Sequence, residues 1–301
     1  MDTRQWKILT LEENPERHEQ VIAAQQDDPA PAIQKLLQSI YLEKDRARAF
    51  ARFGDGFEFK TICKILDLFA VGRDARVLEI GGGAGFLTWA LSRAGYGNVA
   101  LLEPNGQFTT GTGYLRSRDD TAGIRIHNDL KAWHAGDDLY DVIVTKNCIH
   151  HFPNIAQAAA SIRQKLRPGA RWFAFREQFA DTPQELYGLF ATHPYCQPYG
   201  LYEWSYPATH YVEAIEIAGF ALHAVVPAGY ANNTLGTYQE DPGGPEIQHL
   251  TAQIDGLLAK NPQGTVQAFW DEALRNRFQQ GSARFFTRPQ LMVFDVKAIA
   301  P

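Results

Sequence analysis

The sequence predicts an α/β fold built on a parallel sheet, with a helical segment in front of it and two insertions in its second half. Three observations predict it. Short apolar runs alternate with helix-period stripes through the middle of the chain, the pattern of repeated βαβ units. The first run, "ARVLEI", leads straight into the glycines of "GGGAGF", namely Gly81, Gly82, Gly83 and Gly85. The 301 residues, 45% hydrophobic and 12% aromatic, are enough to bury one large core.

Each element can be justified in order. Residues 1–28 are polar. Ile33, Leu36, Leu37, Ile40 and Tyr41 open a helical stripe that continues to Phe53 and predicts a helix broken at 54–56. A second stripe, Phe57, Ile62, Ile65, Leu66 and Phe69, stops at Gly72, a residue suited to a helix end. Residues 1–73 are thus expected to form a helical cap and 74–301 the main domain. "ARVLEI" reads as a buried strand and 86–94 as its helix. "NVALLEP" is a second strand, with a helix near 107–118. "GIRIHND" and "YDVIVTKN" are the third and fourth strands. Asn154 is placed to cap a helix running to Leu166, "RPGA" reads as a turn, and "RWFAFRE" as the fifth strand. A helix over 208–218, stopped by Gly219, precedes "FALHAVV", and "QLMVFDVKAI" closes the chain. The Pro-, Tyr- and Trp-rich stretch 178–207 reads as an inserted loop. A second insertion, 229–287, reads as turns followed by helices over 247–258 and 266–278.

Composition narrows the function classes. The net charge of −5 and the lack of a Lys/Arg run offer no global field for nucleic acid or an anionic membrane surface. No apolar stretch nears the roughly 20 residues of a membrane span, and the N-terminus lacks the apolar core of a signal peptide. Three distant cysteines, Cys63, Cys148 and Cys196, do not suggest a disulfide framework or a metal knuckle. The expectation is a reduced, cytoplasmic setting, a small-molecule partner, and no nucleic acid, membrane or metal.

A strand that ends in glycines before a helix brings bare N–H groups and the positive helix end together. A dinucleotide site would take G-x-G-x-x-G/A, but Phe86 holds the third position. The pattern present is E-x-G-x-G-x-G: Glu79, Gly81, Gly83 and Gly85. With Glu103 ending the second strand in "LLEP" and Asp129 ending the third in "HNDL", it resembles motif I and the following strand ends of the class I S-adenosylmethionine-dependent methyltransferases. "IAGFALHAVV" and "QLMVFDVKAI" are similar to that family's last two strands.

The resemblance implies a Rossmann-like, doubly wound, seven-stranded and mostly parallel sheet, with the N-terminal helical cap and two insertions as additions. It implies S-adenosyl-L-methionine as cofactor. Gly81, Gly82, Gly83 and Gly85, with Glu79 behind them, would wrap its amino-acid part. Glu103, followed by Pro104, would hold the ribose hydroxyls, and Asp129 with Leu130 would meet adenine. Lys146 and Asn147 would lie where the methyl group meets the acceptor. "TKNCIHHF" is similar to the "LHDW" or "LHHF" segment of small-molecule methyltransferases, in which the first histidine is a base. That position is His150 here, while His151 stands where aspartate is common. Histidine is well tuned for proton transfer near neutral pH, and His151 and Glu177 are reserves. Glu177 would orient His150, hold an amine, or pair with Arg176. Tyr195, Tyr199, Tyr202 and Trp204 would line an acceptor pocket or fasten the insertion. The N-terminal helices would form a lid or a homodimer surface. Two other classes compete: a nicotinamide-dependent oxidoreductase, which Phe86 counts against, and a non-catalytic cofactor-binding protein.

Overall fold

The computed structural model describes residues 15–27, 41–192, 204–228, 245–278 and 284–297. Its sheet has seven strands: β1 (Arg76–Ile80), β2 (Asn98–Leu102), β3 (Ile124–His127), β4 (Tyr140–Lys146), β5 (Leu166–Phe175), β6 (Phe220–Val226) and β7 (Leu291–Val296). They lie in the order β3-β2-β1-β4-β5-β7-β6. The first five pair in parallel, and β7 runs antiparallel between β5 and β6. The order reverses between β1 and β4. In an open α/β sheet, ligands bind beyond the carboxyl ends of strands at such a point.

Strand side chains alternate between two cores. Val77, Val99, Leu101, Val142, Val144, Phe173 and Phe175 join one. Leu78, Ala100, Leu102, Ile143, Trp172 and Ala174 join the other. This period of two, apolar on both sides, marks a sheet covered on both faces. The first face is covered by α2 (Arg46–Asp55), α3 (Phe57–Leu68) and α4 (Phe86–Arg93), through Phe50, Phe53, Ile62, Leu66, Phe86 and Leu87. The chain preceding them includes α1 (Pro15–Asp27), and the loop after β2 carries a single short turn, α5 (Gly113–Arg116). The second face is covered by α6 (Leu130–Ala135), α7 (Ile155–Arg163) and, beyond α8 (Pro183–Thr192), by α9 (Ala208–Ile217). Trp133, Ile155, Ala159, Ile162, Tyr211 and Ile215 fill that core. Of α10 (Pro245–Lys260) and α11 (Pro262–Phe278), the first joins the first core through Ile254 and Leu258 and the second joins the other through Phe269.

Four expectations are corrected. The stripe ending at Phe53 is not one helix: residues 41–45 are non-helical, and Asp45 caps a fresh start by accepting from Arg48 N at 3.0 Å. The helix near 107–118 shrinks to the four residues of α5. Side chains take the N–H groups a helix would use. Asn105 Oδ1 accepts from Gln107 N at 2.9 Å, and Glu19 of α1 accepts from Thr109 N and Thr110 N, each at 2.8 Å. Such local capture competes with helix, and Gly106, Gly111 and Gly113 lower its propensity further. "RPGA" is no turn: β5 runs through it with a register shift opposite Tyr140 and Val142, and α7 ends three residues before Leu166. The first insertion is not all loop, because it holds α8. Thr182 Oγ1 accepts from Glu185 N at 3.2 Å and Glu185 Oε2 accepts from Asp181 N at 2.7 Å, a reciprocal capping arrangement.

Asp129 is the N-cap of α6, its Oδ1 accepting from Lys131 N at 2.8 Å and Ala132 N at 3.0 Å. Asp129→Ala is expected to lower stability by about 1 kcal/mol, read as a shift of the urea midpoint at constant slope.

Candidate active site

At the end of β1 the chain turns through Gly81 to Gly85, where Gly85 N donates to Gly82 O at 2.9 Å. Gly81, Gly83 and Gly85 all have positive φ, at 68°, 54° and 82°. The glycines serve two purposes. A Cβ on Gly81 would collide with Cys148 Sγ, one on Gly82 would lie 2.5 Å from Glu79 Cδ, and one on Gly85 would lie 2.5 Å from Leu115 Cδ2. Those three are demanded by the protein's own packing. Gly83 is different: its Cβ would meet only the Tyr41 hydroxyl and Thr110 O, both at an ordinary 3.6 Å. Its bare backbone is thus a cradle that a side chain would fill, the kind of surface a ligand packs against.

Beneath this loop lies Glu79, 2% exposed. Its Oε2 accepts from Thr88 N at 2.8 Å and Thr88 Oγ1 at 2.5 Å, tying the strand to the first turn of α4. Burial pushes its carboxyl above the usual range against the opposing pull of Thr88 and Lys146. Glu103, buried just past β2, accepts from Gly83 N through Oε2 and from Asn105 N through Oε1, each at 2.8 Å. One carboxylate therefore ties the glycine loop to the loop after β2. Asn128, just past β3, donates to Glu103 O at 2.6 Å and to Thr112 Oγ1 at 2.9 Å. Pro104 is exposed beside this network. At the end of β3, Asp129 is exposed and Leu130 is 52% exposed.

The end of β4 carries the other half of the site. Lys146 ends the strand and Asn147 adopts a left-handed φ of 49°, a conformation that few non-glycine residues take and that clusters at functional sites. A short 3₁₀ turn, Ile149–His151, follows. Glu177, just past β5, holds that turn: its Oε1 accepts from Cys148 N and Ile149 N, each at 3.0 Å. Its Oε2 lies 2.9 Å from His150 Nδ1, and both side chains are essentially buried. Burial would raise the Glu177 carboxyl. The His150 hydrogen bond and charge and the two backbone donors outweigh it and hold the group below the usual range. An ionised carboxylate only accepts, so Nδ1 of His150 carries the proton toward Glu177 and Nε2 is the basic nitrogen. The His150 and His151 rings stack at 4.1 Å with a 39° tilt.

The structure thus brings together Glu79, Gly81, Gly82, Gly83, Gly85 and Glu103 at one strand-end cluster, and His150 with Glu177 at the next. The salt bridge considered between Arg176 and Glu177 is not formed: Arg176 pairs instead with Glu58 at 3.7 Å. Trp204 packs edge-on against Phe190 of α8 at 5.9 Å, while Tyr195, Tyr199 and Tyr202 lie outside the described residues. Sequence reasoning missed Thr88, Asn105, Asn128, Glu19 and Glu58. Only Thr88 carried a local signal, as a hydroxyl in the first turn of the helix that follows the glycines.

A family model described as a methyltransferase domain matches residues 54–225, more than half of the chain. The curated highly reducing polyketide synthase 40 of Fusarium pseudograminearum is 30% identical over 149 residues, 44% of this chain. The matched region is 5% of that synthase's length. Among solved structures, the Galdieria sulphuraria protein assigned as a sarcosine dimethylglycine methyltransferase aligns over 80% of this chain and 84% of its own, at 15% identity and a TM-score of 0.47. The O-methyltransferase of a trans-AT polyketide synthase multienzyme from Brevibacillus brevis, crystallised with S-adenosyl-L-homocysteine, aligns over 79% and 71%, at 14% identity and 0.44. Family model, strand order and glycine loop agree: the chain belongs to the class I S-adenosylmethionine-dependent methyltransferases.

Proposed function

We propose that this chain moves a methyl group from S-adenosylmethionine to a small-molecule acceptor by direct displacement, with His150 as general base and Glu177 as the residue that orients it. The observation that carries the reading is the buried His150–Glu177 pair, 2.9 Å apart, beside the point where the strand order reverses. When bound, the donor supplies an electrophilic methyl on a sulfonium. Everything else is positioning, water exclusion and proton handling.

The residues divide that work. Gly81, Gly82, Gly83 and Gly85 present backbone to the donor's amino-acid part, with Glu79 bracing the loop from below. Glu103 takes the ribose hydroxyls with the carboxylate that also accepts from Gly83 N and Asn105 N, since a carboxylate only accepts and suits a diol. Pro104, Asp129 and Leu130 border the adenine, and the backbone at Lys146 and Asn147 faces the methyl-bearing end. His150 removes a proton from the acceptor through Nε2, and His151 packs against its ring. Trp204 and the tyrosines at 195, 199 and 202 are assigned to the acceptor side, and the N-terminal helices to the wall over the donor. A specialised-metabolite acceptor is supported by the polyketide synthase relative. The family match removes the nicotinamide reading, and a non-catalytic role would leave Glu177 holding His150 with no proton to move.

Calorimetry with S-adenosylhomocysteine tests the donor assignment. Glu103→Ala is expected to weaken binding by about 1–3 kcal/mol, from lost charge-assisted hydrogen bonds and a loosened loop. Unchanged affinity would remove Glu103 from the ribose role.

A further inference from the structure

An open cavity of about 230 Å³ lies between the start of α7 and the start of α9. Phe152, Tyr206 and His210 give it aromatic walls, and Ile155, Ala156 and Ala214 add aliphatic surface. The Tyr206 and His210 rings lean on each other, 4.8 Å apart with a 38° tilt. No Lys, Arg, Asp or Glu lines the cavity among the described residues. It suits an uncharged molecule with a flat apolar face, since burying a charge without a partner is costly.

Both walls lead back to the His150–Glu177 pair. On one side, Phe152 directly follows the 3₁₀ turn that carries His150, and its N–H donates to Ile149 O at 3.0 Å. Asn154 then starts α7 by accepting from Gln157 N at 3.0 Å. On the other side, Tyr206 forms a β-bridge with Phe179, just beyond Glu177, and its carbonyl accepts from Ala180 N at 3.2 Å. The Tyr211 hydroxyl accepts from Tyr206 N at 3.3 Å and donates to Gln178 O at 2.9 Å. The cavity is therefore framed by the chain leaving the candidate base and by the chain leaving its carboxylate partner.

Its polar groups keep hydrogen-bonding capacity. The Tyr206 hydroxyl and the His210 ring nitrogens make no hydrogen bond among the described residues. Asn154 spends its amide oxygen on the helix cap, which leaves the amide N–H groups as donors. Aromatic walls with a few such groups are the usual makeup of a small-molecule site.

We infer that this cavity seats the methyl acceptor, and that the acceptor is a neutral aromatic compound carrying a hydroxyl. Its ring packs against Phe152 and Tyr206, and Tyr206 and Asn154 bond its substituents. A hydroxyl matches those groups and holds a proton that a base at His150 can remove. This rests on the methyl-transfer reading above and adds the acceptor's chemical class to it.

Phenol, cyclohexanol and benzoate separate aromatic character from charge, and each is titrated by ligand-observed NMR with saturating S-adenosylhomocysteine present. Phenol is expected to bind several-fold more tightly than cyclohexanol, from ring–ring contacts, and more tightly than benzoate, whose charge finds no partner. Ala156→Leu, which fills the cavity with a good helix former, should abolish phenol binding. Tyr206→Phe removes a hydroxyl that no described protein group uses, so the fold should hold while phenol binding weakens several-fold. S-adenosylhomocysteine affinity should stay within about twofold in both variants. Bound phenol should also shift the nitrogen-15 signals of His150. Equal binding of phenol and cyclohexanol to the unaltered protein, or a preference for benzoate, would overturn the inference with no variant needed. So would phenol binding that survives Ala156→Leu or is unchanged in Tyr206→Phe, or His150 signals that do not respond to phenol. Failure of the methyl-transfer reading would look different: the unaltered protein would not bind S-adenosylhomocysteine at all.

Discussion

Truncating Glu177 to alanine is expected to lower the unfolding free energy by about 3–5 kcal/mol. The carboxylate accepts from the backbone N–H groups of Cys148 and Ile149 at 3.0 Å, and from His150 Nδ1 at 2.9 Å. Removing it strands those donors and His150 N, which also donates to it at 3.3 Å, in a region closed to water, and each buried unmet donor costs about 1–3 kcal/mol before relaxation. Guanidinium denaturation at neutral pH, with an unchanged slope, measures the loss. A change below about 1 kcal/mol would mean that water or another side chain takes over those donors. Glu177→Gln is the milder companion, because an amide oxygen can keep the backbone bonds. Its pH dependence has a definite sign. The folded-state value of Glu177 lies below the ordinary 4.5, so the unfolded chain takes up the proton first as pH falls. The stabilisation is present above about 4.5 and is lost as pH drops through the folded value. Glu79, raised by burial, acts oppositely: its contribution is complete below 4.5 and declines as pH rises through its folded value. Glu177→Gln should therefore flatten the acid limb of the stability profile, while Glu79→Gln should flatten the limb above 4.5.

His150→Gln is expected to slow methyl transfer about 10²–10⁴-fold, the usual range for a lost general base. Single-turnover transfer from labelled S-adenosylmethionine, with an acceptor found by screening, gives the rate. S-adenosylhomocysteine binding should be almost unchanged, since the glycine loop and Glu103 do not touch His150 in any described bond. Glu177→Gln should slow the same step without removing the imidazole. Its amide can donate to Nδ1 and so favour the tautomer protonated at Nε2, which cannot accept a proton. Nitrogen-15 shifts of His150 would reveal the exchange of tautomers. Equal rates in all three proteins across the pH range would take His150 out of the chemistry and leave alignment alone to drive transfer.

The parts of this molecule that were legible in the sequence are those that local pattern determines. The central strands β1, β2 and β4 are largely apolar on both faces, so each appears as a short apolar run, and the glycine loop announces itself because positive φ and close contact leave few other residues possible. Glu79, Glu103 and Glu177 were legible as acids at strand ends. The helix expected near 107–118 failed because the competing acceptor, Glu19, comes from about 90 residues away. Helix α8 was hidden by the aromatic composition around it, although the Thr182–Glu185 spacing was a usable signal. Glu58 was read only as one residue within a helix. It is the ion-pair partner of Lys146 and Arg176, and no spacing rule links those three positions.

Arg176 and Glu177 are neighbours in the chain, yet they serve opposite sides of the sheet. The first, at a left-handed φ of 55°, reaches toward α3, and the second seizes the turn after β4. That single left-handed residue acts as a divider. A change in α3 therefore meets the Arg176 side of the sheet, while a change in the turn after β4 meets the Glu177 side.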